Sequence, residues 1–177
     1  MKKLYTGLIA CVLTPVMLQG CIEREPVESP IQTTQIVDRF GNKIGTARIS
    51  ENLKGGINLV VDASNIEPGE HGIHFHEKGD CSSPTFSSAG GHINPAGKSH
   101  GLNHEDGPDN GDMPNAIADH KGVVSYAIFN KRVSMYGEGD LPPLMDDDGS
   151  ALVIHQGPDD QKTQPIGGAG ARIACAV

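Results

Sequence analysis

The chain alternates apolar and polar residues over short stretches and shows no long helical period. Three such stretches are "TQIVDRFGNKIGTARIS", "GGINLVVDAS" and "GIHFHE", and three later ones are "GVVSYAIFN", "ALVIHQG" and "ARIACAV". Glycine, asparagine and aspartate bound them, which is typical of strands joined by turns. The pattern predicts an all-β domain, either an antiparallel sandwich or a barrel.

The first 33 residues do not follow this pattern. Residues 1–20 combine the basic start "MKK" with an apolar run that is too short and too interrupted for a confident membrane span. The run ends in "LQGC", which resembles a bacterial lipobox and implies a signal peptide that is removed before a lipid-bearing Cys21. The alternative is an ordinary signal peptide with a chance cysteine. Residues 21–33 are predicted to form a flexible tether and residues 34–177 the folded domain.

Either alternative predicts an exported protein, and the lipobox predicts anchoring to a bacterial membrane, in the periplasm or at the outer cell surface. The formal net charge is −8, and removing the two lysines of the signal leaves 12 basic against 22 acidic residues. A mature chain near −10 argues against nucleic-acid binding by bulk electrostatics. Cys11 leaves with the signal and Cys21 takes the lipid, so Cys81 and Cys175 remain to form a disulfide in an oxidising compartment. Closing that loop would stabilise the fold by roughly 4 to 5 kcal/mol.

Histidines are concentrated in "HGIHFHEKGDC", residues 71–81. In an extended strand His74 and His76 share one face, and Ile73 and Phe75 take the other. The segment between 79 and 115 has no period and carries further histidines and aspartates, which favours a loop ordered by metal. A nitrogen-only set suits copper, zinc or nickel, and a mixed nitrogen and oxygen set suits zinc. The nitrogen-only candidates are His74, His76, His92 and His155, and the mixed candidates are His100, Asp112 and a neighbour.

Six motifs resemble, in order, the signatures of the exported bacterial copper/zinc superoxide dismutases: "GEHGIHFHEKGD", "SAGGHINP", "GKSHG", "GDMPN", "LVIHQGPDD" and "GAGARIAC". The resemblance covers about residues 33 to 177. It implies an eight-stranded antiparallel Greek-key β-barrel, an immunoglobulin-like sandwich with two long metal-site loops. It also implies a copper- and zinc-dependent enzyme that disproportionates superoxide to oxygen and hydrogen peroxide.

The resemblance assigns roles to particular residues. It implies that copper is bound by His74, His76, His92 and His155. It implies that zinc is bound by His92, His100 and Asp112. His92 would thus bridge the metals and carry a proton, and Asp159 would link ligands of both sites from behind. Arg172 would provide the cation beside copper, with Lys162 as a candidate second cation.

At one position the sequence departs from the family. Where the family has its second zinc histidine, separated from the first by eight residues, this chain has Asp109. Three outcomes are open: Asp109 ligates zinc through oxygen, His104 takes its place, or zinc binds weakly and the site is dominated by copper. An oxygen donor in place of nitrogen should make zinc affinity more dependent on pH.

An alternative function is an exported metal-binding or metal-delivery protein of the same fold without turnover. All four copper histidines and Arg172 are present, which favours the enzyme. His71 is predicted to pack beneath the site and His120 to be solvated, so neither is predicted to bind metal. Superoxide and a membrane are the predicted partners, and the sequence leaves open a monomer or a homodimer.

Overall fold

A computed structural model describes residues 30–177 of the chain. It contains nine strands and a single turn of 3₁₀ helix, Ser87–Ala89. The strands are β1 Gln32–Asp38, β2 Lys43–Glu51, β3 Ile57–Ala63, β4 Gly69–His71, β5 Ile73–His76, β6 Ala116–Ala118, β7 Val124–Asn130, β8 Ala151–His155 and β9 Arg172–Ala176. Within the described residues no helix has the length and apolarity that crossing a membrane requires.

The strands form one antiparallel sheet in the order β4-β6-β7-β3-β2-β1-β9-β8-β5. The all-β antiparallel fold predicted from the alternating pattern is therefore confirmed. The sheet begins slightly before the predicted domain boundary at residue 34. Gln32 and Thr33 already pair with Ile49 and Arg48 of β2, so the sheet takes in the last two residues of the predicted tether.

The count of nine strands corrects the expected eight, and the reason lies at Gly72. The predicted strand "GIHFHE" corresponds to β5, and a further short strand, β4, ends just before Gly72: β4 pairs with β6, and β5 pairs with β8. Both ends of the ordered sheet thus belong to one continuous piece of chain, which nearly closes the barrel. Gly72 donates its N–H to the carbonyl of Gly157, and a Cβ at this position would lie 2.9 Å from that of Ala169. A side chain here would collide with its neighbour, so the crossover requires glycine.

Alternation along the strands builds the barrel core. In β3 every second residue is buried, from Ile57 to Ala63, while the residues between them are half-exposed. In β5 Ile73 and Phe75 join the same core. This leaves the opposite face of β5 to its two histidines, as the spacing predicts.

The predicted disulfide is confirmed: Cys81 is bonded to Cys175 and ties the first long loop to β9. A small apolar cluster of Phe86, Ala89, Ala151, Val153 and Cys175 packs beside it. The predicted irregular segment ends where β6 begins at Ala116. The sequence analysis missed β6 because three residues are too few to show an alternating pattern.

Candidate metal centre

Four buried imidazoles converge on one point outside the barrel. One ring nitrogen from each lies within 4.8 Å of the others. The converging nitrogens are Nδ1 of His74 and Nε2 of His76, His92 and His155, none of which has a hydrogen-bond partner among residues 30–177. The structure thus brings together the four histidines that the sequence analysis selected for copper.

Two strands and one loop hold these rings. His74 and His76 share the outer face of β5. His155 ends β8 at a register shift in the pairing with β9, where Ile173 is the extra residue, and such bulges are common next to active sites. His92 lies in the first long loop, where an antiparallel bridge to His76 fixes its backbone.

The other nitrogen of each ring has a partner that sets its orientation. His76 Nδ1 lies 3.0 Å from the carbonyl oxygen of Gly90, and His155 Nδ1 lies 3.1 Å from that of Gly170. A carbonyl oxygen only accepts, so both Nδ1 atoms donate and both Nε2 atoms keep a free lone pair when the ring is neutral. His74 Nε2 lies 2.7 Å from a carboxylate oxygen of Asp159, which leaves its Nδ1 free instead. Each ring is therefore fixed in the tautomer that a metal ligand requires.

Burial keeps three of these imidazoles neutral. Together with the nearby charges of His92 and Arg172, it lowers the pKa of His76 to about 2. It lowers the pKa of His155 to about 3. It also lowers the pKa of His74, where the hydrogen bond to Asp159 opposes the shift. A neutral imidazole is the form that binds metal, so His74, His76 and His155 need to release no proton at neutral pH.

A second group adjoins the first and contains carboxylates. Its ligand atoms, within 4.8 Å of one another, come from His92, His100, Asp109 and Asp112. His92 Nδ1 lies 2.9 Å from Asp109 Oδ2, and His100 Nδ1 lies 2.5 Å from Asp112 Oδ1. Asp109 thus lies where the sequence analysis expected a zinc ligand. His104 belongs to neither group within the described part of the chain, and its Nδ1 accepts a hydrogen bond from the backbone of Asp106.

The carboxylates change the electrostatics of this second group. Burial opposes the charged form of His100, but Asp112 and Asp159 outweigh it and raise the pKa of His100 to about 10. His92 behaves alike, since Asp109 and Asp112 raise its pKa against the effect of burial. Burial acts to raise the pKa of Asp112, yet the closeness of His100 and His92 holds it well below its usual range. Without metal, the second group is a cluster of buried ion pairs.

Asp159 connects the two groups. One of its carboxylate oxygens lies 2.7 Å from His74 Nε2 and the other 3.1 Å from His100 Nε2. Asn115 holds the backbone of Asp159 in place: its side chain accepts from the Asp159 N–H and donates to the Asp159 carbonyl. A displacement of this one carboxylate would therefore reorient a ring in each group.

A cleft of about 410 Å³ opens onto both groups. His76, His92 and Arg172 lie along it. The guanidinium of Arg172 donates to the carbonyl oxygens of Phe86 and Gly90, both at 2.6 Å, so its charge is fixed beside the histidines. The second cation at the cleft is Lys98, and not Lys162 as the sequence analysis considered.

Three residues near the site escaped the sequence analysis. Besides Asn115, the side chain of Gln164 makes two hydrogen bonds to the backbone of His100, at 2.9 and 2.8 Å. Arg132 donates from Nη2 to the backbone carbonyl of Asp112. These contacts join segments far apart in the chain, and an isolated Asn, Gln or Arg has no spacing that would single it out.

The residues present fit two metal ions. Within residues 30–177, nine buried side-chain nitrogen and oxygen atoms lack a hydrogen-bond partner, and seven of them belong to these two groups. Buried polar atoms without partners are rare in folded proteins, so such a concentration indicates ligands of bound ions. Four imidazoles suit copper, and two imidazoles with two carboxylates suit zinc. Fold and site together define an all-β metalloprotein with adjacent copper-type and zinc-type centres.

Comparison with known proteins agrees with this class. The sequence model of the copper/zinc superoxide dismutase family matches residues 43–177. The superoxide dismutase [Cu-Zn] of Caulobacter vibrioides is 46% identical over 138 residues, covering 77% of this chain and 79% of that protein. The chain therefore belongs to the copper/zinc superoxide dismutase family. It is an oxidoreductase that acts on superoxide, and copper and zinc are its metals.

Solved structures support the same assignment. The crystal structure of a superoxide dismutase-like protein from Bacillus subtilis has a TM-score of 0.79 and 37% identity, covering 83% of this chain and 98% of that one. The copper/zinc superoxide dismutase of Brucella abortus has a TM-score of 0.67 and 30% identity, covering 84% and 99%. The fold of this chain is thus similar to the folds of both proteins.

Proposed function

We propose that dismutation takes place at the cleft, with copper held by the four converging imidazole nitrogens. The observation that carries this assignment is the convergence of four buried ring nitrogens, each without a hydrogen-bond partner in the described residues. Copper bound there supplies the one-electron chemistry, because it has two accessible oxidation states that imidazole accommodates. The ligands proposed are His74, His76, His92 and His155.

Arg172 binds the substrate anion in this proposal. Its guanidinium lines the cleft and is fixed by two backbone carbonyls, so it offers a cation of constant position next to the histidines. Lys98 adds a second positive charge along the cleft. A chain with an overall negative charge repels superoxide at long range, so attraction must come from such local charges.

His92 moves a proton in the proposed reaction. Its Nε2 faces the first group and its Nδ1 the second, so this ring belongs to both. The nearby carboxylates of Asp109 and Asp112 raise the pKa of His92 against the effect of burial. Nε2 can therefore hold a proton when it is not a ligand and give it to the reduced substrate.

The second group holds zinc in this proposal, through His92, His100, Asp109 and Asp112. Two imidazoles and two carboxylates are an accepted tetrahedral donor set for zinc. His92, His100 and Asp109 line the same cleft, and the zinc site fixes the position of His92. Asp159 serves both sites by orienting His74 and His100.

The catalytic assignment is tested by replacing one histidine of the four. We expect His155→Ala to lower copper content and to reduce dismutation by more than about 100-fold, above the range found for residues that only support a ligand. His120→Ala is the matched control, because His120 is exposed on a turn. A copper-loaded, disulfide-intact parent protein without dismutation above buffer background would instead support the metal-binding alternative.

We further propose that the protein is exported and anchored by lipid at Cys21, after removal of residues 1–20. The lipobox-like "LQGC" supports this, and the Cys81–Cys175 disulfide fits an oxidising compartment. In a bacterial host, metabolic labelling with a palmitate analogue should mark the parent and the Cys11→Ser control but not Cys21→Ser. Label retained in Cys21→Ser would contradict the anchor. The homodimer stays a prediction, which sedimentation of the soluble domain measures.

A further inference from the structure

Arg132 makes hydrogen bonds to the turn that carries the two carboxylates of the second metal site, and it has no role in the proposed reaction. Asp109 and Asp112 lie at the two ends of one short turn. The guanidinium of Arg132 donates from Nη2 to the backbone carbonyl of Asp112. In return Asn110, inside the same turn, donates from its side chain to the carbonyl of Arg132 at 2.7 Å. Arg132 thus fixes the turn by two hydrogen bonds, and we call this pair of contacts the clamp.

Arg132 is itself well placed to act as an anchor. It follows β7 by two residues, and its N–H donates to the side chain of Asn130, the fully buried last residue of that strand. The clamp therefore connects the loop that carries the carboxylates to the barrel wall. Sites supported by regular structure keep their geometry better than sites supported by loops alone.

The clamp leaves one carboxylate oxygen of Asp112 free. Its Oδ2 accepts from the N–H groups of Gly101 and Asp109, at 2.7 and 2.9 Å. Its backbone carbonyl is taken by Arg132. Only Oδ1 is left, buried and without a hydrogen-bond partner in the described chain, and it points to His100. Orientation of this ligand thus depends on contacts on its other sides.

The positive charge of Arg132 is also opposite in sign to the two carboxylates of the site. Where the family places a histidine, Asp109 brings a second carboxylate, which adds a negative charge to a buried group. Burial lowers the pKa of the Arg132 guanidinium, and the charges of Asp112 and Asp109 oppose that shift. A half-buried cation near both carboxylates offsets the repulsion between their negative charges.

We propose that Arg132 is a positioning residue of the second metal site: it holds the Asp109–Asp112 turn in ligating geometry and offsets the extra carboxylate. The proposal rests on the ligand set assigned above. It makes Arg132 a determinant of zinc affinity that touches neither metal nor substrate. Copper affinity should depend on it far less, because none of the four copper ligands contacts it through a hydrogen bond found in residues 30–177.

The test is a zinc titration of the copper-free full chain against a chromophoric chelator. Arg132→Met should weaken zinc binding by about 10- to 100-fold, as for other residues that support a ligand from behind. Arg132→Lys, which keeps the charge but loses the planar donor, should lie between the parent and Arg132→Met, and covers the case in which the methionine variant fails to fold. Lys131→Met removes an exposed neighbouring charge and should stay within about twofold of the parent. Copper affinity, measured in parallel, should change by less than about threefold in all three variants.

A double-mutant cycle with Asp109→His separates charge from geometry. If Arg132 offsets the second carboxylate, the zinc penalty of Arg132→Met should shrink by at least about threefold once Asp109 is a histidine. An equal penalty in both backgrounds would overturn the charge offset. A parent that binds zinc and variants within twofold of it would overturn the whole inference and leave the ligand set intact. A parent that binds no zinc would overturn the ligand set itself, and the inference with it.

Discussion

The two metal sites share one histidine and are otherwise built from opposite materials. The first is made of imidazoles carried by the ends of β5 and β8 and by a bridged loop, and burial keeps the three rings on the strands neutral. The second lies on a loop and contains two carboxylates, which pair with His92 and His100 when no metal is present. The ring nitrogens that face the first site have no hydrogen-bond partner in the described residues, so this site gains no stability from contacts between its ligands. At the second site the ion pairs between carboxylates and imidazoles stabilise the fold even without metal.

This difference has consequences for metal binding. At the first site His74, His76 and His155 have no proton to lose at neutral pH, so the dependence of affinity on pH should come from the shared His92 alone. At the second site a metal must displace the protons that the carboxylates keep on the imidazoles, because the pKa of His100 is about 10. The fold thus carries one site whose ligands are mostly neutral and lie on strands, beside a second site whose ligands are charged and lie on a loop.

The largest change in metal affinity is expected at Asp159, because this residue contacts ligands of both sites. It tests whether the two sites differ in rigidity. Asp159→Asn keeps the shape but replaces one carboxylate oxygen with an amide donor. We expect zinc affinity to fall by about 100-fold and copper affinity by about 10-fold, since His100 has no other partner at Nε2 whereas β5 still holds His74. Metal titrations measure both, with the exposed Asp140→Asn as control. Copper falling as much as zinc would mean that the first site is less rigid than described.

The second prediction concerns the first site alone. Arg172→Met should reduce kcat/KM by about 10-fold or more at low ionic strength and flatten its dependence on salt, because the anion loses its fixed cation. Zinc affinity should not change. Arg172→Lys should retain part of the activity, and Arg39→Met, at an exposed position, should behave as the parent. Activity of Arg172→Met equal to that of the parent would remove Arg172 from the proposed reaction.

The third prediction concerns the second site without metal. The raised pKa of His100 means that its ion pair stabilises the fold fully below pH 6.5 and loses that contribution as the pH rises toward 10. The lowered pKa of Asp112 means that its contribution is present above about pH 4 and lost in acid. The metal-free domain should therefore lose about 1 kcal/mol between pH 6.5 and 10, a value discounted for solvent screening. Denaturant titrations measure it, with His100→Gln as the variant that should lack this loss.

The smallest effect should come from Gln164, whose side chain holds the backbone of His100. Gln164→Ala should weaken zinc binding by about threefold, because two neutral hydrogen bonds to a loop are lost but both carboxylates remain. Copper affinity should stay unchanged, as should both affinities in the exposed control Gln156→Ala. A copper effect larger than the zinc effect would contradict the assignment of His100 to the second site.

The first site was largely predictable from the sequence, and the second only in part. His74 and His76 share a face because strands repeat every two residues, and the alternating runs predict most of the strands around them. The orientation of Asp109 could not be predicted in this way, because Asp109 lies in a loop with no periodic pattern of apolar residues. Arg132, Asn115 and Gln164 act on backbone atoms of distant segments, and such contacts leave no pattern in a sequence.

The fold shows the same limit. β6 spans only three residues, and β4 and β5 are separated at Gly72, where a Cβ would lie 2.9 Å from that of the distant Ala169. Short strands and close approaches between distant segments follow from tertiary packing. The resemblance to a known family implied the right barrel but one strand fewer than the nine found.

The most direct test of the two-site account is the crystal structure of the copper- and zinc-loaded domain, with anomalous scattering measured at both metal edges. We expect copper among the four imidazole nitrogens. We expect zinc between His92, His100, Asp109 and Asp112, with an Asp109 oxygen at about 2.0 to 2.2 Å from it. Copper in both positions, or an Asp109 carboxylate turned away from the metal, would contradict the account of two sites with different donors and different metals.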